Sequence, residues 1–155
     1  MNLDDIPTLN DWIDINNINS IKASYQFPGI YIIRISDDDC NPITIALLLG
    51  NDSTGTISIG ESKNVGKRIR QFFRSMNGGR GHSEGNVMYS IYLSTNFNGI
   101  HQNHKIQFAA RELKNKERAQ QEEEILLKHY FNKYGELPPL NHSQPGKHKI
   151  WVVDN

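Results

Sequence analysis

A phenol, a guanidinium and a carboxylate stand out in this sequence because of the residues around them. Tyr31 ends the triplet Gly29-Ile30-Tyr31 at the head of an apolar run, Arg68 lies in a basic segment, and Glu123 is the middle of three consecutive glutamates. A guanidinium is a planar fork that matches phosphate oxygens, and a carboxylate suits a hard cation such as Mg²⁺ or Mn²⁺. A phenol takes a proton from water only if nearby positive charge lowers its pKa from about 10. These groups could hydrolyse a phosphodiester bond.

The positive charge of the chain is concentrated in one segment. Residues 63–83 contain no acidic residue, although 17 Lys and Arg balance 17 Asp and Glu over the whole sequence. Such segregation is expected of a surface that binds the phosphate backbone of DNA, and a merely solvated helix face is the alternative. The neutral total argues against indiscriminate binding of polyanions. The unopposed cations are Lys63, Lys67, Arg68, Arg70, Arg74 and Arg80.

The composition is that of one water-soluble domain. The chain has 155 residues, of which 37% are hydrophobic and 22% charged, and this length can bury a single modest core. Its single cysteine, Cys40, excludes an internal disulfide framework and fits a reducing compartment. No stretch approaches the ~20 apolar residues that span a bilayer. We therefore expect a cytoplasmic protein with no membrane partner.

Period-two alternation and turn residues predict the strands. Residues 29–36 form a strand with Tyr31 and Ile30 on opposite faces. Residues 43–49 are a continuous apolar run and predict a buried strand. Residues 56–60 form a short strand with Ser58 on the face opposite Ile57 and Ile59. Residues 105–113 form a further strand, residues 96–103 a loop, and residues 150–153 an edge strand.

Helical periodicity predicts two long helices. Ser62 is the expected cap of the first, whose apolar stripe runs from Val65 to Met76 and which Asn77-Gly78-Gly79 ends. Residues 82–94 have helical spacing, but part of them could also be extended. The second long helix covers residues 117–134 and places Glu123 near the centre of its apolar stripe. An inward-facing glutamate needs a cation or a metal as its partner.

The N-terminal region differs in composition from the rest. Residues 1–26 are acidic and rich in asparagine, and they are interpreted as an extension to a single domain at residues 27–155. A short helix through Trp12, Ile13 and Ile15 is expected there. It either packs against the domain or serves as an arm that binds a partner.

The order and spacing of several short motifs resemble the GIY-YIG nuclease family. The resemblance covers residues 28–141 and implies an α/β (α+β) fold with a small, mainly antiparallel sheet of three to four strands flanked by helices. It also implies cleavage of DNA with one divalent metal. The motifs are Gly29-Ile30-Tyr31, Ser58-Ile59-Gly60, Asn64-Val65 with Lys67-Arg68, His82, Ala119 with Glu123, and Pro139-Leu140-Asn141.

The resemblance implies a role for each matched residue. Glu123 would hold the metal, Arg68 would bind the phosphate, and Tyr31 would be the base. His82 would lie near the scissile phosphate. Ser58 stands where the second motif has a tyrosine, so one phenol is missing from the implied catalytic set. The substrate-binding residues expected from the basic segment and the closing motif are Lys63, Lys67, Arg70, Arg74 and Asn141.

Three functions are therefore open at this point. The first is a Mg²⁺- or Mn²⁺-dependent DNA endonuclease. The second is a DNA-binding module of the same fold, whose catalysis is weakened or lost because of Ser58. The third is an interaction domain with no nucleic-acid role. A single nuclease site nicks one strand at a time, so cutting a duplex requires either a homodimer or two sequential events.

Overall fold

The described residues form an antiparallel sheet of four strands with helices on both faces. The computed structural model describes residues 12–19, 24–94 and 104–142. The sheet strands are β1 (Ile13–Asp14), β2 (Gly29–Ser36), β5 (Thr56–Ser62) and β6 (Lys105–Glu112), and a small hairpin adds β3 (Ile45–Ala46) and β4 (Asn51–Asp52). The order across the sheet is β1-β6-β2-β5, so β2 is central and β5 is an edge.

In the described residues, three α-helices cover the two faces of the sheet. They are α1 (Val65–Met76), α2 (Ser83–Leu93) and α3 (Lys116–Tyr134). Helices α1 and α2 pack on one face and α3 packs on the other. The expected α+β class is confirmed at this level. In the described part of the chain, no helix has both the length and the apolar character to cross a bilayer.

The alternation predicted for β2 is confirmed. Tyr31 and Ile33 lie in the core shared with α1 and α2, whereas Ile30 and Ile32 lie in the core shared with α3. Strand β5 follows the prediction in part, because Ile59 faces α3 while Ser58 pairs with Ile33 on the other face. The start of the strand was predicted wrongly. The register shifts beside Ser58, and Ile57 joins the α1–α2 core instead of facing α3.

A β-bulge accounts for that difference. One extra residue in a strand restarts the alternation, so neighbours on either side of it can share a face. In β5 the extra residue is Ile57, because Ser58 pairs with Ile33 and Thr56 pairs with Arg34. The bulge leaves Ser58 on the same face of the sheet as Tyr31.

The predicted buried strand at residues 43–49 is wrong. Only Ile45–Ala46 is extended, and it pairs with Asn51–Asp52 in a hairpin. Leu48 and Leu49 at the tip are 84% and 75% exposed. The hairpin is held to α3 by polar contacts, since Asp52 is fully buried and accepts hydrogen bonds from the hydroxyls of Tyr130 at 2.9 Å and Tyr134 at 3.1 Å.

The N-terminal region contributes to the sheet. The expected helix through Trp12, Ile13 and Ile15 is wrong, because Ile13–Asp14 is a strand paired with β6 and only Ile15–Asn17 is helical, as a 3₁₀ turn. Ile15 and Ile18 are buried in the core of the domain, which favours packing over a free arm for this stretch. Residues 1–11 and 20–23, the predicted loop at 96–103 and the predicted strand at 150–153 lie outside the described residues.

The helix boundaries follow local capping. Asn64, rather than the predicted Ser62, is the N-cap of α1, and its side chain accepts a hydrogen bond from the amide of Lys67. The helical alternative for residues 82–94 is the observed one. Helix α3 begins one residue before its predicted start and ends at Gly135, whose φ of 76° is the left-handed conformation that glycine adopts without strain.

Candidate active site

The candidate site lies at the edge of the sheet formed by β5, which has no further neighbouring strand among the described residues. Asn141 covers this edge by pairing with both polar groups of Ile59. Its Oδ1 accepts from the Ile59 amide at 3.0 Å, and its Nδ2 donates to the Ile59 carbonyl at 2.8 Å. Asn141 was predicted to bind substrate. In the structure, both ends of its side-chain amide instead bind the backbone of β5. Asn141 thereby pairs polar groups that an exposed edge strand leaves unpaired.

Glu123 reaches the same edge from α3. Its carboxylate lies near the backbone amide of Glu61 in β5. Burial, together with the negative charges of Glu61 and Glu84, raises the pKa of Glu123 to about 7. Arg68 and the Glu61 amide act in the opposite direction. Glu123, which was predicted from the apolar stripe of α3, therefore lies near other carboxylates rather than in a simple ion pair.

The most buried of the three consecutive glutamates is Glu122, not Glu123. Glu122 is 5% exposed and is held by two arginines, with Arg118 Nη2 at 2.8 Å and Arg111 Nη2 at 3.3 Å from its oxygens. Glu123 is partly buried. The prediction that Glu123 alone points inward was therefore incomplete, since the helix turns two glutamates toward the sheet and, among the described residues, Glu122 is the one of the two in an ion pair.

Tyr31 and Arg68 meet on the opposite side of the edge strand. The Tyr31 ring lies over Gly60, where even a Cβ atom would collide with the phenol, so the glycine makes room for it. The Arg68 guanidinium, from α1, lies close enough to the phenol to lower its pKa. Tyr31, Arg68 and Glu123 were predicted to converge from separate elements. The structure brings them together around Gly60 and Glu61.

The surroundings of Tyr31 in the protein disfavour the ionised form of its phenol. Burial and the charge of Glu84 raise the pKa of Tyr31 far above its ordinary value, and Arg68 lowers it only in part. The phenol is 2% exposed. The base role predicted for Tyr31 therefore depends on a further cation, because the protein by itself keeps the phenol protonated.

Sequence reasoning missed Glu84. It lies in the first turn of α2, and its Oε2 accepts a hydrogen bond from the buried hydroxyl of Ser58 at 2.6 Å. Ser58, predicted as the replacement of a catalytic tyrosine, thus faces a carboxylate. One signal in the sequence pointed there, since Glu61 and Glu84 are the acidic residues that flank the acid-free segment.

His82 lies beneath the surface of the site. It is 2% exposed, its ring packs edge-on against Phe72 with centroids 5.2 Å apart, and neither ring nitrogen has a hydrogen-bond partner in the described part of the chain. Burial and, to a smaller extent, the positive charge of Arg68 lower the pKa of His82 to about 4. Both ring nitrogens are buried, and the predicted role of His82 near the scissile phosphate stays a prediction.

We expect His82 to make the fold acid-sensitive. The unfolded chain binds the proton near the ordinary pKa of 6.5, whereas the folded chain binds it only near pH 4. The free energy of unfolding should therefore fall as the pH drops from about 6.5 to about 4, by up to about 3 kcal/mol. His82→Phe should flatten this part of the curve in urea titrations, and exposed His142→Phe should not. An unchanged slope in His82→Phe would contradict the assignment.

A basic groove runs along α1 next to the site. We define it by Lys63, Lys67, Arg70 and Arg74, the cations predicted to bind substrate. Lys63, Lys67 and Arg68 line an open depression of about 360 Å³ together with Glu61 and Lys116. Lys67, Arg70 and Arg74 line a second depression of about 600 Å³. The guanidinium of Arg74 also donates to the carbonyl of Arg80, which holds the far end of the groove in place.

A hard divalent cation fits the carboxylates at the edge strand. Glu61 Oε2 is buried and has no hydrogen-bond partner in the described part of the chain, and it is close enough to Glu123 to raise the pKa of that carboxyl. A cation there would give the Glu61 oxygen a partner and would offset the repulsion between the two carboxylates. Mg²⁺ often takes only one or two carboxylates besides water and phosphate. No group of three potential ligands among His, Cys, Asp and Glu occurs in the described residues.

Comparisons with known proteins do not assign the chain to a family. The chain matches no protein-family model, no curated protein and no solved structure. The functional assignment therefore rests on the sequence motifs and on the geometry of the site.

Proposed function

We propose that this protein is a divalent-metal-dependent endonuclease that hydrolyses DNA, with a GIY-YIG-like domain. The observation that carries the proposal is the meeting of Tyr31, Arg68 and Glu123 at one sheet edge, although they come from β2, α1 and α3. A packed core has no need for a phenol, a guanidinium and a carboxylate of raised pKa in one place. Perturbed groups of this kind gather at functional sites.

Each group has a task in this reaction. Glu123, with Glu61 beside it, would hold the cation, which when bound would polarise a phosphate oxygen and offset the developing negative charge. Arg68 would place its planar fork on the phosphate and keep the phenol of Tyr31 oriented. The basic groove would carry the strand on either side of the scissile bond. Tyr31 would contact the attacking water.

The test is cleavage of supercoiled plasmid and of labelled duplex oligonucleotides by the purified chain. We expect nicked product with Mg²⁺ or Mn²⁺ and none with EDTA. Ca²⁺ should support binding without cleavage if one metal ion drives the chemistry. Nicking followed by slow linearisation would indicate sequential action, and direct linearisation would indicate a homodimer. No cleavage with any divalent metal would end the proposal.

A second function is favoured by Ser58. A phenol is absent at this position, and the hydroxyl that replaces it is engaged with Glu84. The alternative is a DNA-binding module that uses the basic groove and cleaves weakly or not at all. It predicts that DNA affinity falls linearly with the logarithm of salt concentration, while no metal supports cleavage. Absence of DNA binding even at low salt would exclude both functions and leave an interaction domain.

A further inference from the structure

Ser58 and Glu84 form a hydrogen-bonded pair inside the candidate site. Ser58 is fully buried, and its Oγ donates to Glu84 Oε2 at 2.6 Å. Within the described part of the chain, the other oxygen of Glu84, Oε1, accepts no hydrogen bond. One oxygen of the carboxylate is therefore fixed by the sheet, and the other is available.

The Glu84 carboxylate lies close to the three groups of the proposed reaction. Its charge raises the pKa of Tyr31 and of Glu123, and Arg68 lowers the pKa of Glu84 itself. Burial acts more strongly on Glu84 and raises its pKa above the ordinary value. A carboxylate with a raised pKa is a better proton acceptor than one with an ordinary pKa.

Tyr31 is the weaker candidate for the same task. Its phenol is more deeply buried than Glu84, and both burial and the neighbouring carboxylates favour its protonated form. A protonated phenol donates a hydrogen bond and cannot receive the proton of water. The two groups therefore differ in the direction in which each can move a proton.

Resting on the proposed function, we propose that Glu84, oriented by Ser58, is the catalytic residue that accepts the proton of the attacking water. The water oxygen forms a bond to phosphorus as one water proton passes to Glu84 Oε1. The bond from phosphorus to one sugar oxygen breaks, and that oxygen takes up a proton from solvent. Glu84 then returns its proton to solvent, so one water is consumed and Tyr31 only orients it.

The experiment compares single-turnover cleavage in three variants with DNA affinity measured in Ca²⁺. Glu84→Gln should lower the cleavage rate about 10²- to 10⁴-fold without changing affinity, as expected for loss of a general base. Glu117→Gln is the matched control, because it removes the same charge from the first turn of α3 at an exposed position. Tyr31→Phe should lose less activity than Glu84→Gln.

Two further measurements separate chemistry from folding. Added formate should restore part of the cleavage by Glu84→Ala, because a small carboxylate can enter the vacated space, and no structural role predicts this rescue. Ser58→Ala, which removes the hydroxyl that holds Glu84, should lower the rate about tenfold while DNA affinity in Ca²⁺ stays unchanged.

The outcomes distinguish the role of Glu84 from the nuclease function. Wild-type cleavage with undiminished activity in Glu84→Gln would overturn the role of Glu84 and leave the nuclease function intact. A larger loss in Tyr31→Phe than in Glu84→Gln would return the base role to Tyr31. No cleavage by the wild-type chain would overturn the nuclease function, and the role of Glu84 with it.

Discussion

Replacing Glu123 with glutamine is expected to lower the rate of plasmid cleavage by about a thousandfold or more, which corresponds to about 4 kcal/mol of transition-state stabilisation. Glutamine keeps the volume of the side chain, and its carbonyl oxygen can replace the carboxylate oxygen that lies near the Glu61 amide. What the variant loses is the negative charge that would hold the cation. Single-turnover cleavage in Mg²⁺ and in Mn²⁺ measures the effect.

The same substitution should not weaken the fold. The folded chain binds the proton of Glu123 with a pKa of about 7, above the ordinary 4.5, so the ionised carboxylate costs stability that grows as the pH rises from 4.5 to 7. Above pH 7, Glu123→Gln should therefore melt at the same temperature as the wild type or higher. A residue that was kept for stability would behave in the opposite way.

Glu124→Gln is the control for this prediction. It makes the same chemical change one residue further along α3, and Glu124 is not among the groups that shift the pKa of Tyr31 or Glu123. We expect its cleavage rate to stay close to wild type. Wild-type activity in Glu123→Gln would remove this carboxylate from the mechanism, whatever the melting temperatures.

The parts of the fold that could be predicted are those with a regular hydrophobic period. Helix α3 and strand β2 follow their predicted ranges within one residue because their apolar side chains face a single core each. Residues 43–49 have no period, and a continuous apolar run does not distinguish a buried strand from a hairpin whose tip is exposed. The bulge at Ile57 also has no signal in the sequence, because it depends on how β5 pairs with β2.

The sequence predicted which residues form most of the candidate site, but not how their side chains are oriented and paired. The motifs identified Tyr31, Arg68 and Glu123, which do meet. They gave no sign that His82 would be sealed against Phe72, because a histidine after a glycine-rich turn can face either way. They also missed Glu84, whose position depends on how α2 docks on the sheet. Side-chain partners across elements are set by tertiary packing, which local patterns do not encode.

Replacing Arg68 with alanine is expected to reduce cleavage by about a thousandfold, the scale on which an arginine stabilises charge in phosphoryl transfer. The charge of the guanidinium lowers the pKa of Tyr31, Glu84 and Glu123. Its loss would leave a phenol and the neighbouring carboxylates without this counter-charge. Arg68→Lys should fall in between, since it keeps the charge but not the planar fork.

A second signal makes the Arg68 prediction specific to charge rather than to packing. Arg68 lowers the pKa of His82, so that pKa should rise in Arg68→Ala and stay low in Arg68→Lys, as followed by NMR of the imidazole. Arg70→Ala is the control, because Arg70 lines the basic groove and is not among the groups that shift the pKa of Tyr31 or His82. It should weaken DNA binding and reduce its salt dependence by about one phosphate contact, with little effect on the cleavage step. Equal losses of cleavage in Arg68→Ala and Arg70→Ala would mean that Arg68 only binds DNA and takes no part in the reaction.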